Sequence, residues 1–354
     1  MARTREDSKD YPARPRHAQP ESWEELTVRA AEAAVRVSRG DHSNYNGQDP
    51  KNVRHVHGMK IAGEATWEQG LRLNYGYVEH WLRYMYAHQG QAHDRETRLH
   101  IRRALETLFH EHVHLISSAG TNHAQAEGEM KYAEVQALEE GVTEAYAYAQ
   151  LDEFITDLGI DEVCPGILDP DVKDHPTYPQ FTPGALEIAR LAGEATGRGG
   201  PEMLRMLAVE NPQYKWRVLT GEIVKASKLY DVLPKEQYGP ANIRVAQAMW
   251  KEYAGMVALG NLPEDQQQAR SAEIAAQAFG SGQAEIAAIR QEVATHGRML
   301  TTEERAQLPA DALNATRLLA TGTAPPQATA PSATPAAKPP GITSDAKATA
   351  IARD

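Results

Sequence analysis

LFHEHVHLIS, Leu108 to Ser117, places three histidines and a glutamate in the five positions His110 to His114. Read as a helix, it carries His110 and His114 four residues apart, so both imidazoles leave the same face. That is a two-pronged grip for one metal ion. Glu111, one position on, can reach a water beside the metal rather than the metal itself. The spacing is HExxH, in which two histidines hold zinc and the glutamate serves as general base. Zinc brings the pKa of a bound water to about 7, which makes a nucleophile at neutral pH.

The flanks agree with a buried helix. Leu105, Leu108, Phe109, Val113 and Ile116 fall at i, i+3, i+4, i+8 and i+11, an apolar stripe on the side away from the histidines. Glu111 is the only charged residue from 107 to 117. Asp94 is placed to cap this helix, which is expected to run to about Ser118, with Gly120 just past its end. His112 points to the side of the helix away from the two candidate ligands and reads as a filler.

A catalytic zinc site needs a third protein ligand and an open position. KYAEVQALEEGVTEAYAY, Lys131 to Tyr148, is the best source. On a helix, Val135, Leu138, Val142, Ala145 and Ala149 form an apolar face. Ala133, Ala137, Glu140, Gly141 and Glu144 form a second face of small residues and two carboxylates. Small residues allow another helix close, and carboxylates on such a face need partners. The histidine helix would supply them. Glu140 is therefore the expected third ligand. Glu144, one turn on, is placed to accept the second ring N–H of a ligand histidine. Glu139 reads as turned toward the edge of the apolar face.

HEHVH followed by EEGVTE resembles the gluzincin group of zinc metallopeptidases, which carry HExxH on one helix and a glutamate ligand on the next. The resemblance covers Thr107 to Tyr148 and no specific family within the group. It implies His110, His114 and Glu140 as zinc ligands, Glu111 as base and Glu144 as the carboxylate behind a ligand. It also implies a tyrosine or histidine that steadies the oxyanion. Tyr146 lies six residues past Glu140 rather than the usual five, so Tyr148, His123, His175 and Tyr178 stand beside it as candidates. The implied substrate is a peptide or protein.

Two rivals deserve weighing. A degenerate peptidase could keep the metal site as a non-catalytic binding or structural module; the intact Glu111 argues against it. A carboxylate-bridged di-iron protein uses paired ExxH motifs, and Glu111 to His114 is the only ExxH here.

The rest of the chain sets bounds. A formal charge of -11 argues against nucleic acid as main partner. The single cysteine, Cys164, excludes a disulfide framework and a cysteine-rich zinc cluster. No apolar signal segment and no run of about 20 apolar residues is visible, so a cytoplasmic protein without a membrane span is expected, export by another route being left open. P-loop, GxSxG and Rossmann patterns are absent from the sequence.

Residues 1–20 read as a disordered arm and 321–354, rich in Ala, Pro, Thr and Ser, as a flexible tail, a spacer or a docking segment for a partner. Between them, 21–320 reads as one mainly α, zincin-like metallopeptidase domain (α+β) with a small sheet near 53–62 and additional C-terminal helices. NVRHVHGMKIAG is the strand candidate, with His55 and His57 on one face. Helices are expected near 23–38, up to Gly90, over 129–158, then at 184–196, 201–209, 215–230, 240–258, 264–296 and 302–320. The 264–296 stretch repeats AEIAA and reads as an Ala-rich helix pair. The long connection between Leu158 and Gly184, rich in Pro and Asp, is of a length that is often functional.

Overall fold

The computed structural model describes residues 19–47, 53–56 and 61–307, with the backbone alone at 53–56. The arm up to residue 18, the tail at 321–354, the end of the last expected helix and the side chains of His55 and His57 lie outside the described residues.

The chain is mainly helical, 70% helix against 4% strand, so the helices set the architecture. They are α1 (Trp23–Ser38), α2 (His80–Ala87), α3 (Arg95–His114), α4 (Ala133–Asp157), the short α5 (Ile160–Val163), α6 (Thr182–Thr196), α7 (Gly200–Ala208), α8 (Pro212–Ala226), α9 (Tyr238–Tyr253), α10 (Glu264–His296) and α11 (Thr302–Ala306). The strands are β1 (His42–Ser43), β2 (Val53–Val56), β3 (Gly63–Ala65), β4 (Leu71–Asn74) and β5 (Ile116–Ser117). No helix among the described residues is long and apolar enough to cross a membrane.

Local chemistry explains the boundaries. Ser22 caps α1 by accepting the Glu25 N–H, and Asp94 caps α3 by accepting the Thr97 N–H at 2.7 Å. α3 stops at His114, four residues before the expected Ser118. The reason lies far off in sequence. Ile116 and Ser117 pair antiparallel with Ser43 and His42, and the Leu115 carbonyl accepts from both the backbone and the side chain of Asn44. A strand bridge thus closes the histidine helix.

β2, β4 and β3 form one sheet in that order, β2 parallel and β3 antiparallel to β4. This is the small sheet expected beside the histidine helix, extended to residue 74, with β3 laid against α3. A π-helical turn, Tyr75–Glu79, leads from β4 into α2.

α4 is the centre of the molecule and packs on α1, α3, α6, α7 and α8. Its burial is broader than one stripe. Thirteen consecutive positions from Val135 to Ala147 include only two that are not buried, Gln136 and Glu140. Ala149, expected on the core face, is exposed. Gly141 does admit a close neighbour, but that neighbour is α6: a Cβ there would stand 2.8 Å from the Phe181 carbonyl oxygen. α10 is one continuous helix across Gly280–Gly282 and not the expected helix pair. Gly282 is buried against α9, where a Cβ would meet Met249 at 2.9 Å, so it serves close packing and not a break.

The core joins Leu105, Leu108, Phe109 and Val113 of α3 to Leu138, Val142, Phe154 and Ile155 of α4, all but fully buried. Each such side chain contributes about 1.5–3 kcal/mol by leaving water. That packing fixes the two helices that carry the candidate site.

Candidate metal centre

α3 and α4 run antiparallel where they face each other. His114 lies beside Glu139, and His110, one turn back, lies beside Glu144, one turn on. His110 Nδ1 is 2.8 Å from Glu144 Oε2, and His114 Nδ1 is 2.7 Å from Glu139 Oε1. Each ring is thus gripped by its own carboxylate. With Nδ1–H donating in both, each Nε2 presents a lone pair. The two Nε2 atoms face each other at 3.1 Å, and both lie 3.7 Å from Glu140 Oε2. Among the described residues, His110, His114 and Glu140 are the one group of three whose ligand atoms all lie within 4.8 Å of one another.

These distances suit a metal. Tetrahedral zinc with Zn–N of ~2.0–2.1 Å sets its ligand atoms roughly 3.3 Å apart. Two lone pairs converging beside a carboxylate repel unless a cation or protons lie between them. Without a metal, protons do that work. Burial opposes charge on His114, but Glu139 and Glu140 outweigh it and lift its pKa to about 9. Burial opposes charge on His110 too, and Glu140 and Glu144 lift it well above its usual value. Glu140 is half-buried, and although the loss of water opposes its charge, the two histidines hold it below the ordinary carboxylate range.

Glu111 is buried against β3. A Cβ on Gly63 would stand 2.7 Å from Glu111 Oε1, and the backbone of Ala65 offers it a hydrogen bond. Burial raises its pKa, in part offset by His110 and His114. A carboxylate so raised is a better proton acceptor.

Glu139 corrects the sequence reading. It is 1% exposed and stands behind His114, where Thr143 Oγ1 also donates to it at 3.3 Å. On its other side Lys215 Nζ lies 3.1 Å from Oε2. Burial works against its charge, but Lys215 and His114 hold its carboxyl below the ordinary range. A single-helix wheel puts Glu139 at an apolar edge because it cannot show that α8 brings a lysine there. The adjacent pair Glu139–Glu140 is the available signal.

The long connection 159–181, marked as functional by length alone, meets the site. Thr177 donates to Glu144 Oε1 through its backbone N–H, at 2.5 Å, and through its hydroxyl. Tyr178, in the left-handed region at φ 56°, stacks its ring on His110 with centroids 5.7 Å apart. A left-handed backbone on a bulky residue costs energy and is kept where the surroundings impose it. The connection is strung along α3 by arginines that sequence reasoning passed over. Arg95 donates to the Asp171 carbonyl, Arg98 to that of Gly166 and Arg102 to that of Ile167, and Arg103 pairs with the Asp174 carboxylate. Their spacing, i, i+3, i+7 and i+8, is one helix face.

Of the oxyanion candidates, Tyr178 stacks on the ring of a candidate ligand, and His123 lies against the backbone of another, His114. Tyr146 is buried on the other side of α4 and donates its hydroxyl to the Val37 carbonyl. Tyr148 donates to the Asp174 carbonyl at 2.6 Å and anchors the connection. His175 is exposed. His123 is buried and stacked on Trp67 with centroids 4.6 Å apart; burial first, and then the charge of His114, lower its pKa to about 4. His112, read as a filler, is fully buried edge-on to Tyr45, its pKa lowered by burial to about 3. Cys164 is a buried free thiol with a pKa raised by burial to about 11.

Compared with protein-family models, with curated proteins and with solved structures, the chain matches none.

Proposed function

We propose that the protein is a zinc-dependent metallopeptidase. The carrying observation is the group His110, His114 and Glu140 with Glu111 beside it and a carboxylate behind each histidine. In this reading the Nε2 atoms of His110 and His114 and a carboxylate oxygen of Glu140 hold the ion. When bound, zinc would polarise a peptide carbonyl and acidify a water. Glu111 takes the proton of that water and passes it to the leaving amine. Burial of Glu111 supports this role, because a carboxyl raised toward neutral pH both accepts and returns a proton. Glu144 and Glu139 fix the two rings so that neither Nε2 turns away. Tyr178 is the side chain best placed to meet the substrate carbonyl, since it lies on the His110 ring. Two histidines and one carboxylate are the donor set of catalytic zinc sites that keep a position open, which favours turnover over storage.

The test is metal content. Elemental analysis of untagged protein, offered zinc and washed, should give about one zinc per chain, lost in the His110→Ala/His114→Ala double variant. Wild-type protein that retained none would overturn the reading. Zinc retained without hydrolysis across a diverse peptide library would leave a metal-binding module in place of a peptidase.

A further inference from the structure

Lys215 is the one lysine buried among the described residues, 1% exposed, and no sequence motif pointed to it. It enters from α8, which packs on α4. Its Nζ donates to the Leu207 carbonyl at 2.8 Å, near the C-terminus of α7. The same Nζ lies 3.1 Å from Glu139 Oε2. That contact is ionic rather than an aligned hydrogen bond. The other oxygen of Glu139 takes the Nδ1–H of His114 and the Thr143 hydroxyl.

A buried carboxylate with donors at one oxygen alone can rotate about its terminal bond, which is broad and roughly two-fold. A fixed cation on the second oxygen removes that freedom. Glu144 is held differently, by two donors from Thr177. One histidine is therefore braced from the 159–181 connection and the other from α8.

We infer that Lys215 is a positioning residue of the metal centre. Held at Leu207, it sets the Glu139 carboxylate, and Glu139 sets the ring of His114 so that Nε2 stays aimed at His110 and Glu140. This rests on the metal reading above. The rival role is plain: Lys215 could serve only to satisfy an end carbonyl of α7.

The experiment measures zinc dissociation constants by competition with a chelator for the wild type, Lys215→Met, Glu139→Gln and the double variant, with thermal melting of each metal-free protein alongside. Lys215→Met should weaken zinc by about 10–100-fold, the usual cost of losing a partner behind a ligand. In the Glu139→Gln background the same change should cost less than about threefold, because the amide oxygen still accepts from His114 and no charge is stranded. If Lys215→Met does not fold, Lys215→Gln keeps a donor for Leu207 without the charge, and the same threshold applies. Zinc affinity within about threefold of wild type, with only the melting temperature lowered, would assign Lys215 to capping α7 and overturn the inference. An equal loss in both backgrounds would overturn it too, since the effect would not pass through Glu139. A wild type that binds no zinc removes the metal reading itself, a result distinct from either.

Discussion

Gly63 of β3 lies so close to Glu111 of α3 that a Cβ on it would stand 2.7 Å from the carboxylate oxygen and 2.9 Å from Cγ. Both distances are shorter than carbon contacts allow, so either the strand or the carboxylate must move. Gly63→Ala should therefore displace the base while leaving His110, His114 and Glu140 in place. The expected result is zinc affinity within about threefold of wild type and peptide hydrolysis reduced by about 10²-fold or more, since misplacement by about 1 Å is that costly. Unchanged hydrolysis at normal zinc content would show that β3 gives way and the Glu111 carboxylate stays in place.

Glu111→Gln and Glu140→Ala separate base from ligand. The glutamine amide keeps the shape of the Glu111 side chain and loses the proton acceptor, so zinc should stay and turnover should fall by several orders of magnitude. Glu140→Ala removes a ligand atom, and zinc affinity should fall by well over roughly 10²-fold. Retention of wild-type affinity by Glu140→Ala, measured by chelator competition, would mean that a different side chain completes the site.

Acidity should act in opposite directions on the metal-free and zinc-loaded protein. In the metal-free fold His114 is lifted from 6.5 to about 9. A histidine raised in the fold stabilises it fully below its unfolded value and loses that contribution as pH climbs through the folded value. The metal-free protein should lose about 3 kcal/mol between about pH 6.5 and pH 9 from this group, followed by urea denaturation. Zinc must displace the same protons, so its apparent affinity should rise by about tenfold per pH unit for each proton released. Zinc affinity flat from about pH 6 to pH 9 would show that the two histidines are not the ligands.

Thr177→Val should weaken zinc by about 3–10-fold. It deletes the hydroxyl that donates to Glu144 Oε1 and leaves the Thr177 N–H, so Glu144 keeps part of its support. Equal affinities for Thr177→Val and wild type would separate the 159–181 connection from the metal centre.

Much of this was legible at short range. The spacing of His110 and His114 fixes a shared helix face, and the apolar residues around them mark that helix as buried. The Asp94 cap, α1, the sheet near residue 53 and most later helices follow from the same kind of signal, because capping and periodicity act within a few residues. Glu140 and Glu144 were readable for the same reason, one helical turn apart.

What the sequence could not settle depends on partners distant along the chain. Glu139 sits one residue from Glu140 and looked peripheral until α8 placed Lys215 against it. Tyr146 and Tyr148 looked equivalent to Tyr178 until one was bonded to α1 and another to the connection it anchors. α3 ended early because β1 claims the residues after it. The AEIAA repeat of 264–296 looked like a helix pair, but α10 runs unbroken and packs Gly282 against Met249 of α9. By itself the sequence determined which residues share a helix face and which side chains on those faces could hold a metal. Only the tertiary structure decided which carboxylate stands behind which histidine, because that choice depends on how whole helices pack against one another.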